Sequence, residues 1–346
     1  MGDLVHKPGT APIVGRWDHA LLDPNLEDAP IVHTFDQLAT VPLLQRAEAA
    51  YRAKFRLKSW QYMTAASDEL FVAWVIGSAG YASNSFVYAV ELATGQVHEK
   101  FAITPMSVGT SLSKTSAKGG HRFATKGLTV EIDNLDSGRA FAARIDARTK
   151  TNSSLTAELA FSSSPKDQHF SLCVPLPGGR WNYTHKLAGF GVKGHVTIAG
   201  KRFELSPSRA FGTLDFTKMY ALRHAVWKWI ALAGLTKHGK VIGLNFVDPT
   251  PDAPVTENAV WIDGVREELE DTRLHAAHDL WKLTSDGVDV SFVPIGSVSQ
   301  TLDAPLVAHK IRHIVGAFTG RIRTKSGLVH DLDRVVGIAE DFDSLW

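Results

Sequence analysis

One cysteine, Cys173, is all the thiol this 346-residue sequence carries. No disulfide can form within the chain, and neither a disulfide-stapled fold nor a cysteine-rich metal site is available to it. An excess of either charge is missing too, with 37 Lys and Arg against 36 Asp and Glu. Without a basic excess there is no footprint for nucleic acid or anionic lipid, and neither partner is expected. No window approaches the roughly 18 consecutive apolar residues of a membrane span, so no integral membrane segment is expected. Met1 to Leu22 lacks the apolar stretch of a secretory signal. A soluble, cytoplasmic protein follows by elimination. Also absent are a phosphate-cradling glycine loop, a GxSxG elbow, HExxH and CxxC, so no metal and no cofactor is expected.

What is present is apolar material in short pieces. Hydrophobic residues make up 44% of the chain and charged residues 21%, an ordinary globular balance with room for two domains. Residues 1–40, rich in Pro, Asp and Gly, read as an extended lead-in over the surface. A short helix is expected next, with Thr40 as N-cap, Pro42 in the first turn, and Leu43, Leu44, Ala47 and Tyr51 at helical spacing. From Lys54 onward, apolar runs such as Leu70 to Ile76 and Phe86 to Val90 alternate with turn residues. Ala93-Thr94-Gly95-Gln96 and Ala199-Gly200 mark hairpins. Many short strands with almost no helical periodicity predict an all-β chain of two barrel or sandwich modules, 41–205 and 206–346.

Cys173 lies in an apolar strand-like run and reads as a buried, inert thiol. His309 and His313, four apart in a basic stretch, read as surface or core histidines, and His275 and His278 as part of a solvated loop or edge strand. The densest polar-aromatic cluster runs from Arg180 to Trp229. In Trp181 to Lys186, strand alternation puts Trp181, Tyr183 and His185 on one face and Asn182, Thr184 and Lys186 on the other. Gly189 and Gly191 are expected to break that strand.

Arg180, Tyr183 and Lys186, then Ala210-Phe211, Leu214-Asp215, Trp227-x-Trp229 and Thr256-x-Asn258 before Asp263-Gly264, follow one another in an order that resembles the bacterial family of domain of unknown function 2804. Lys58-x-Trp60, Gly80-Tyr81 and Phe86-Val87-Tyr88 fit the same family, and the resemblance spans roughly 52–346. Phe216-Thr217-Lys218 departs from it, standing where an aromatic followed by a Gly- or Arg-bearing turn is expected. The family is similar to two-module lipocalin-like proteins that include carotenoid hydratases and tocopherol cyclases. The resemblance implies lipocalin-like modules and an apolar ligand held in or between them, with cofactor-free addition or cyclisation as the chemistry.

Such chemistry needs an acid kept protonated in apolar surroundings and aromatic faces to shield a cation. Asp215, set inside an apolar strand, His185 and Glu257 are the candidate catalytic residues, with Asp215 and His185 as the acid-base couple. Tyr183, Lys186, Trp227, Trp229, Asn245 and Asn258 are the candidate ligand contacts. The structural alternatives are backbone hydrogen bonds to Asp215 or a salt bridge from it to Arg209 or Arg223, an exposed turn for Glu257, and core or inter-module packing for the tryptophans. Three functions compete: a cofactor-independent hydratase, cyclase or isomerase on a hydrophobic small molecule; a non-catalytic carrier of a lipid-like ligand; and a structural module. The oligomeric state is left open.

Overall fold

The computed structural model describes residues 4–30, 55–248, 256–269, 271–277, 280–304 and 307–345. Among them no helix reaches seven residues, and the strands form two curled antiparallel half-barrel sheets. The helix expected at 40–51 lies outside the described residues.

The first sheet runs from Gln96–Pro105 through Ala82–Glu91, Leu70–Ser78 and Leu57–Ala66 to Phe211–Tyr220 and Arg180–Ile198. It continues through Ser154–Ser162, Ala140–Arg148, Leu128–Leu135 and Gly119–Thr125. The second centres on His224–Leu235, Val329–Leu345 and Val307–Arg323, with Val241–Val247 and Ala259–Ile262 beyond on one side. Arg273–Ala277, which carries exposed His275, is an edge strand there. The chain changes sheets between Tyr220 and His224. Phe211–Tyr220, which a division at 205/206 puts in the second module, therefore pairs in the first sheet, between Leu57–Ala66 and Arg180–Ile198. Its Leu214 and Phe216 side chains hold it there, packed into the first module's clusters. The Ala199-Gly200 turn forms as expected, both residues at positive φ, and closes a hairpin on that same sheet.

Strands at the junction differ from those at the periphery. Ala140–Arg148 alternates buried and exposed residues, whereas Leu70–Ser78 is buried on both faces. Leu70, Val72, Trp74 and Ile76 face the first module's interior, and Phe71, Ala73 and Val75 face the second sheet. That double burial is why the run reads as continuously apolar. The seam between the sheets is lined by Tyr62, Phe86 and Tyr88 from the first sheet and by Trp229, Val298, Val315 and Ile338 from the second. Each such side chain removed from water contributes about 1.5–3 kcal/mol.

Two expectations are corrected. Arg180–Ile198 is one strand of 19 residues, not two broken at the glycines. Gly189, at φ +88, absorbs a bulge between Ala188 and Phe190 and lets the pairing continue. A GxGxxG spacing is in fact present, at Gly189, Gly191 and Gly194, but it lies inside this strand with no helix to follow, so it forms no phosphate-cradling loop. The lead-in is not draped over the surface either. Leu4, Val5, Leu21 and Leu26 are buried against Cys173, Tyr183 and Phe216, because Gly15–Trp17 pairs with Phe170–Leu176 and draws the segment inward. Cys173 is buried as expected, and burial pushes its thiol up to about 12.

Candidate active site

Alternation along Arg180–Ile198 turns Lys186 toward the seam, and register places Asp215 directly opposite it and Tyr62 opposite Asp215. Lys186 Nζ lies 2.8 Å from Asp215 Oδ1 and 3.2 Å from Glu257 Oε2. Asp215 Oδ1 also accepts from Thr217 Oγ1 at 2.9 Å, and Oδ2 accepts from the Trp60 indole N–H at 3.2 Å. The partner of Asp215 is thus Lys186, not Arg209 or Arg223. The Lys186 side chain is 4% exposed, and an isolated ammonium there would cost several kcal/mol in desolvation. Burial does push its pKa down, but the attraction of Asp215 and Glu257 outweighs it and leaves Lys186 above its ordinary value. Glu257 is raised too, which for a carboxyl favours the neutral form: burial raises its pKa, the Asp215 charge adds to that, and Lys186 offsets only part.

The second sheet supplies the facing half. Trp229 lies opposite Glu340 in register, and Glu340 opposite His313. Trp227 Nε1 donates to Glu340 Oε1 at 2.6 Å, and His313 Nε2 lies 2.6 Å from Glu340 Oε2. Each sheet therefore carries the same row of neighbours, a basic residue, a carboxylate and an aromatic: Lys186, Asp215 and Tyr62 in one, His313, Glu340 and Trp229 in the other. In each, the tryptophan two residues before that aromatic donates its indole N–H to the carboxylate.

The halves meet ring to ring. Tyr62 packs edge-on to Trp229 at 5.3 Å between centroids, and Trp60 stacks on Trp227 at 6.2 Å. Tyr62 and Tyr88 share a hydroxyl hydrogen bond of 2.9 Å, and burial pushes both phenols well above their ordinary range. Trp229 Nε1 donates to Asn245 Oδ1 at 2.8 Å, and Asn245 Nδ2 donates to the Glu257 carbonyl at 2.8 Å. Asn258 Oδ1 accepts from the Val247 amide at 2.7 Å, which ties down the segment carrying Glu257.

His185 and Tyr183 do not join this cluster. They lie on the opposite face of the strand, so the expected Asp215–His185 couple does not form; the register partner of His185 is Phe216. His185 Nδ1 lies 2.7 Å from Ser116 Oγ, and Nε2 lies 2.9 Å from His169 Nδ1. Burial holds the imidazole well below its ordinary pKa, so it is neutral. Tyr183 OH accepts from the Leu21 amide at 3.2 Å. Sequence reasoning missed Trp60, Tyr62, Tyr88, His313 and Glu340 as site residues. One signal was there: Trp60-x-Tyr62 repeats the pattern of Trp227-x-Trp229.

A half-barrel pair with a charged, tryptophan-lined seam can be compared with known proteins. The family described as Domain of unknown function (DUF2804) matches residues 38–346. The chain belongs to that family. No curated protein matches this DUF2804 sequence. Among solved structures, a protein assigned as AttH from Nitrosomonas europaea is similar at a TM-score of 0.50 and 14% identity, over 85% of this chain and 93% of the other. That likeness shows a shared fold. Kievitone hydratase from Nectria haematococca is similar at a TM-score of 0.45 and 13% identity, over 97% of each chain.

Chemically, the DUF2804 seam offers a carboxyl biased toward its protonated form, a fixed ammonium beside it, and indole and phenol faces around both. Among the described residues no group of three His, Cys, Asp or Glu is arranged to hold a metal ion. No helix among them is long and apolar enough to cross a membrane.

Proposed function

We propose that this DUF2804 protein is a cofactor-independent hydratase, cyclase or isomerase that acts by proton transfer on a hydrophobic, isoprenoid- or lipid-like molecule in the seam. The observation that carries the reading is Glu257. Its carboxyl is raised by burial and by Asp215, yet its side chain keeps 19% exposure, against 4% for Lys186 beside it. An acid in that state, open on one side, is suited to protonating an alkene. Trp60, half-buried, and Trp229 present π faces to a developing cation. Glu257 is the proton donor, and Lys186 and Asp215 set its charge state.

The test incubates the protein with farnesol and geranylgeraniol in ¹⁸O-labelled water and follows products by mass spectrometry. Hydration adds one labelled water; cyclisation or isomerisation shifts retention at constant mass. Glu257→Gln should lower turnover by about 100-fold or more, the usual share of a general acid. If wild type and variant hold both alcohols equally and neither makes product, the carrier reading replaces the enzyme reading.

A further inference from the structure

We infer that His313 is the proton acceptor of this same site, taking the proton from the attacking water, and that Glu340 is its positioning residue. The inference rests on the acid-initiated reading above and assigns its second half. The parallel between the sheets motivates it, and so does the point where the parallel ends. Lys186 is claimed by two carboxylates and is a fixed cation, which cannot accept a proton. His313, in the matching position, faces one carboxylate, Glu340.

The geometry around His313 is that of an oriented base. A carboxylate oxygen accepts, so Nε2 donates to Glu340 Oε2, and Nδ1 is the ring nitrogen left to take a proton. Among the described residues Nδ1 has no hydrogen-bond partner. The other Glu340 oxygen is held by Trp227, which leaves the carboxylate no freedom to swing away. The imidazole is 3% exposed and is packed by the Tyr62, Phe86 and Tyr88 rings at 5.6, 5.2 and 5.5 Å. Tyr62 links the halves: it touches His313 on one side and Trp229 on the other, and the Lys186 ammonium lies 5.5 Å from the Trp229 ring.

The step balances. The alkene π pair takes the proton from the Glu257 carboxyl and forms the new C–H bond. A water lone pair forms the C–O bond at the cationic carbon. That water gives one proton to His313 Nδ1, and the imidazolium is stabilised by Glu340. Bulk solvent later takes this proton and returns one to Glu257, so the net reaction is alkene plus water to alcohol.

The test runs farnesol in D₂O with wild type, Glu257→Gln, His313→Gln and Glu340→Gln, each checked for an unchanged far-UV spectrum. Alcohol formed and deuterium in recovered farnesol are read separately. His313→Gln should lose about 100-fold in alcohol yet still exchange deuterium, because Glu257 can give a deuteron and retake a proton. Glu257→Gln should lose both signals. Glu340→Gln should lower kcat with KM unchanged, and Glu340→Asp should recover part of it. His313→Gln making alcohol within about threefold of wild type, or losing exchange together with alcohol while folded, overturns the inference. His313→Asn serves if His313→Gln does not fold. Wild type that neither hydrates nor exchanges farnesol overturns the acid-initiated reading, and the inference with it.

Discussion

Trp60 and Trp227 stack across the seam, 17° from parallel, and each has its indole N–H tied to a carboxylate of its own sheet. The two are held differently on their outer sides. Trp227 rests on Phe342 at 3.5 Å between centroids, so its plane is set by its own sheet. Trp60→Phe keeps a ring in place and removes the donor to Asp215. It should cost about 1–3 kcal/mol, the penalty of an unmade buried hydrogen bond, read as a lower melting temperature. Trp60→Ala should in addition weaken farnesol binding, read by quenching of the remaining tryptophans.

Lys186→Met leaves Asp215 and Glu257 facing each other without a cation. At neutral pH it should cost about 3–5 kcal/mol in urea unfolding, the range for a broken buried ion pair. Adding Glu257→Gln should recover part of that loss. The pH dependence has a definite sign. The folded pKa of Glu257 is raised above the ordinary 4.5, so the folded state binds the proton more tightly than the unfolded one. Its contribution to stability is full below 4.5 and is lost as pH rises through the raised value. Wild type should therefore lose stability relative to Glu257→Gln across that interval, and a gain would contradict the protonation bias.

The first module's histidines act in the opposite sense. Burial pushes His121 and His169 down to about 3 and His185 well below its ordinary 6.5. The unfolded chain protonates all three before the folded one does, so their contribution is full above 6.5 and is lost as pH falls. Each costs about 1.4 kcal/mol per pH unit in that descent. His121 has no hydrogen-bond partner for either ring nitrogen among the described residues. His121→Leu should flatten the acid limb of the stability profile without lowering stability at pH 8.

Gly243 brings the second sheet against the first: a Cβ there would lie 2.4 Å from the Ala188 carbonyl carbon. Gly243→Ala must move one backbone or the other. It should cost about 1–3 kcal/mol or more, as overpacking does, and should shift tryptophan emission with far-UV dichroism unchanged. Unchanged emission would mean that the seam tolerates a wider spacing.

The all-β class, the Ala199-Gly200 hairpin and the inert Cys173 were legible because each follows from local chemistry. So was the face on which Lys186 lies. The pairing of Asp215 was not, because alternation orders side chains along one strand and says nothing about which strand lies next to it. His185 and Asp215 are 30 residues apart, as near in sequence as Lys186 and Asp215, and only register separates them. His313 and Glu340 were illegible for the same reason: His313 is buried, one of the two readings open to it beside Lys310 and Arg312, but its pairing with Glu340 follows only from register. The place where the chain changes sheets was masked by Phe211–Tyr220, whose texture matches strands of either module.

Every bond that orients Asp215 by way of Lys186, Thr217 or Trp60, and every bond from Glu340 to His313 or Trp227, lies within one sheet. Asp215 and Glu340 are thus each aimed by partners of their own sheet. The two arrays face each other across the seam, each ordered by its own register. In the proposed reaction, a charge that appears between them meets an environment already polarised to receive it, with little reorganisation to oppose the step.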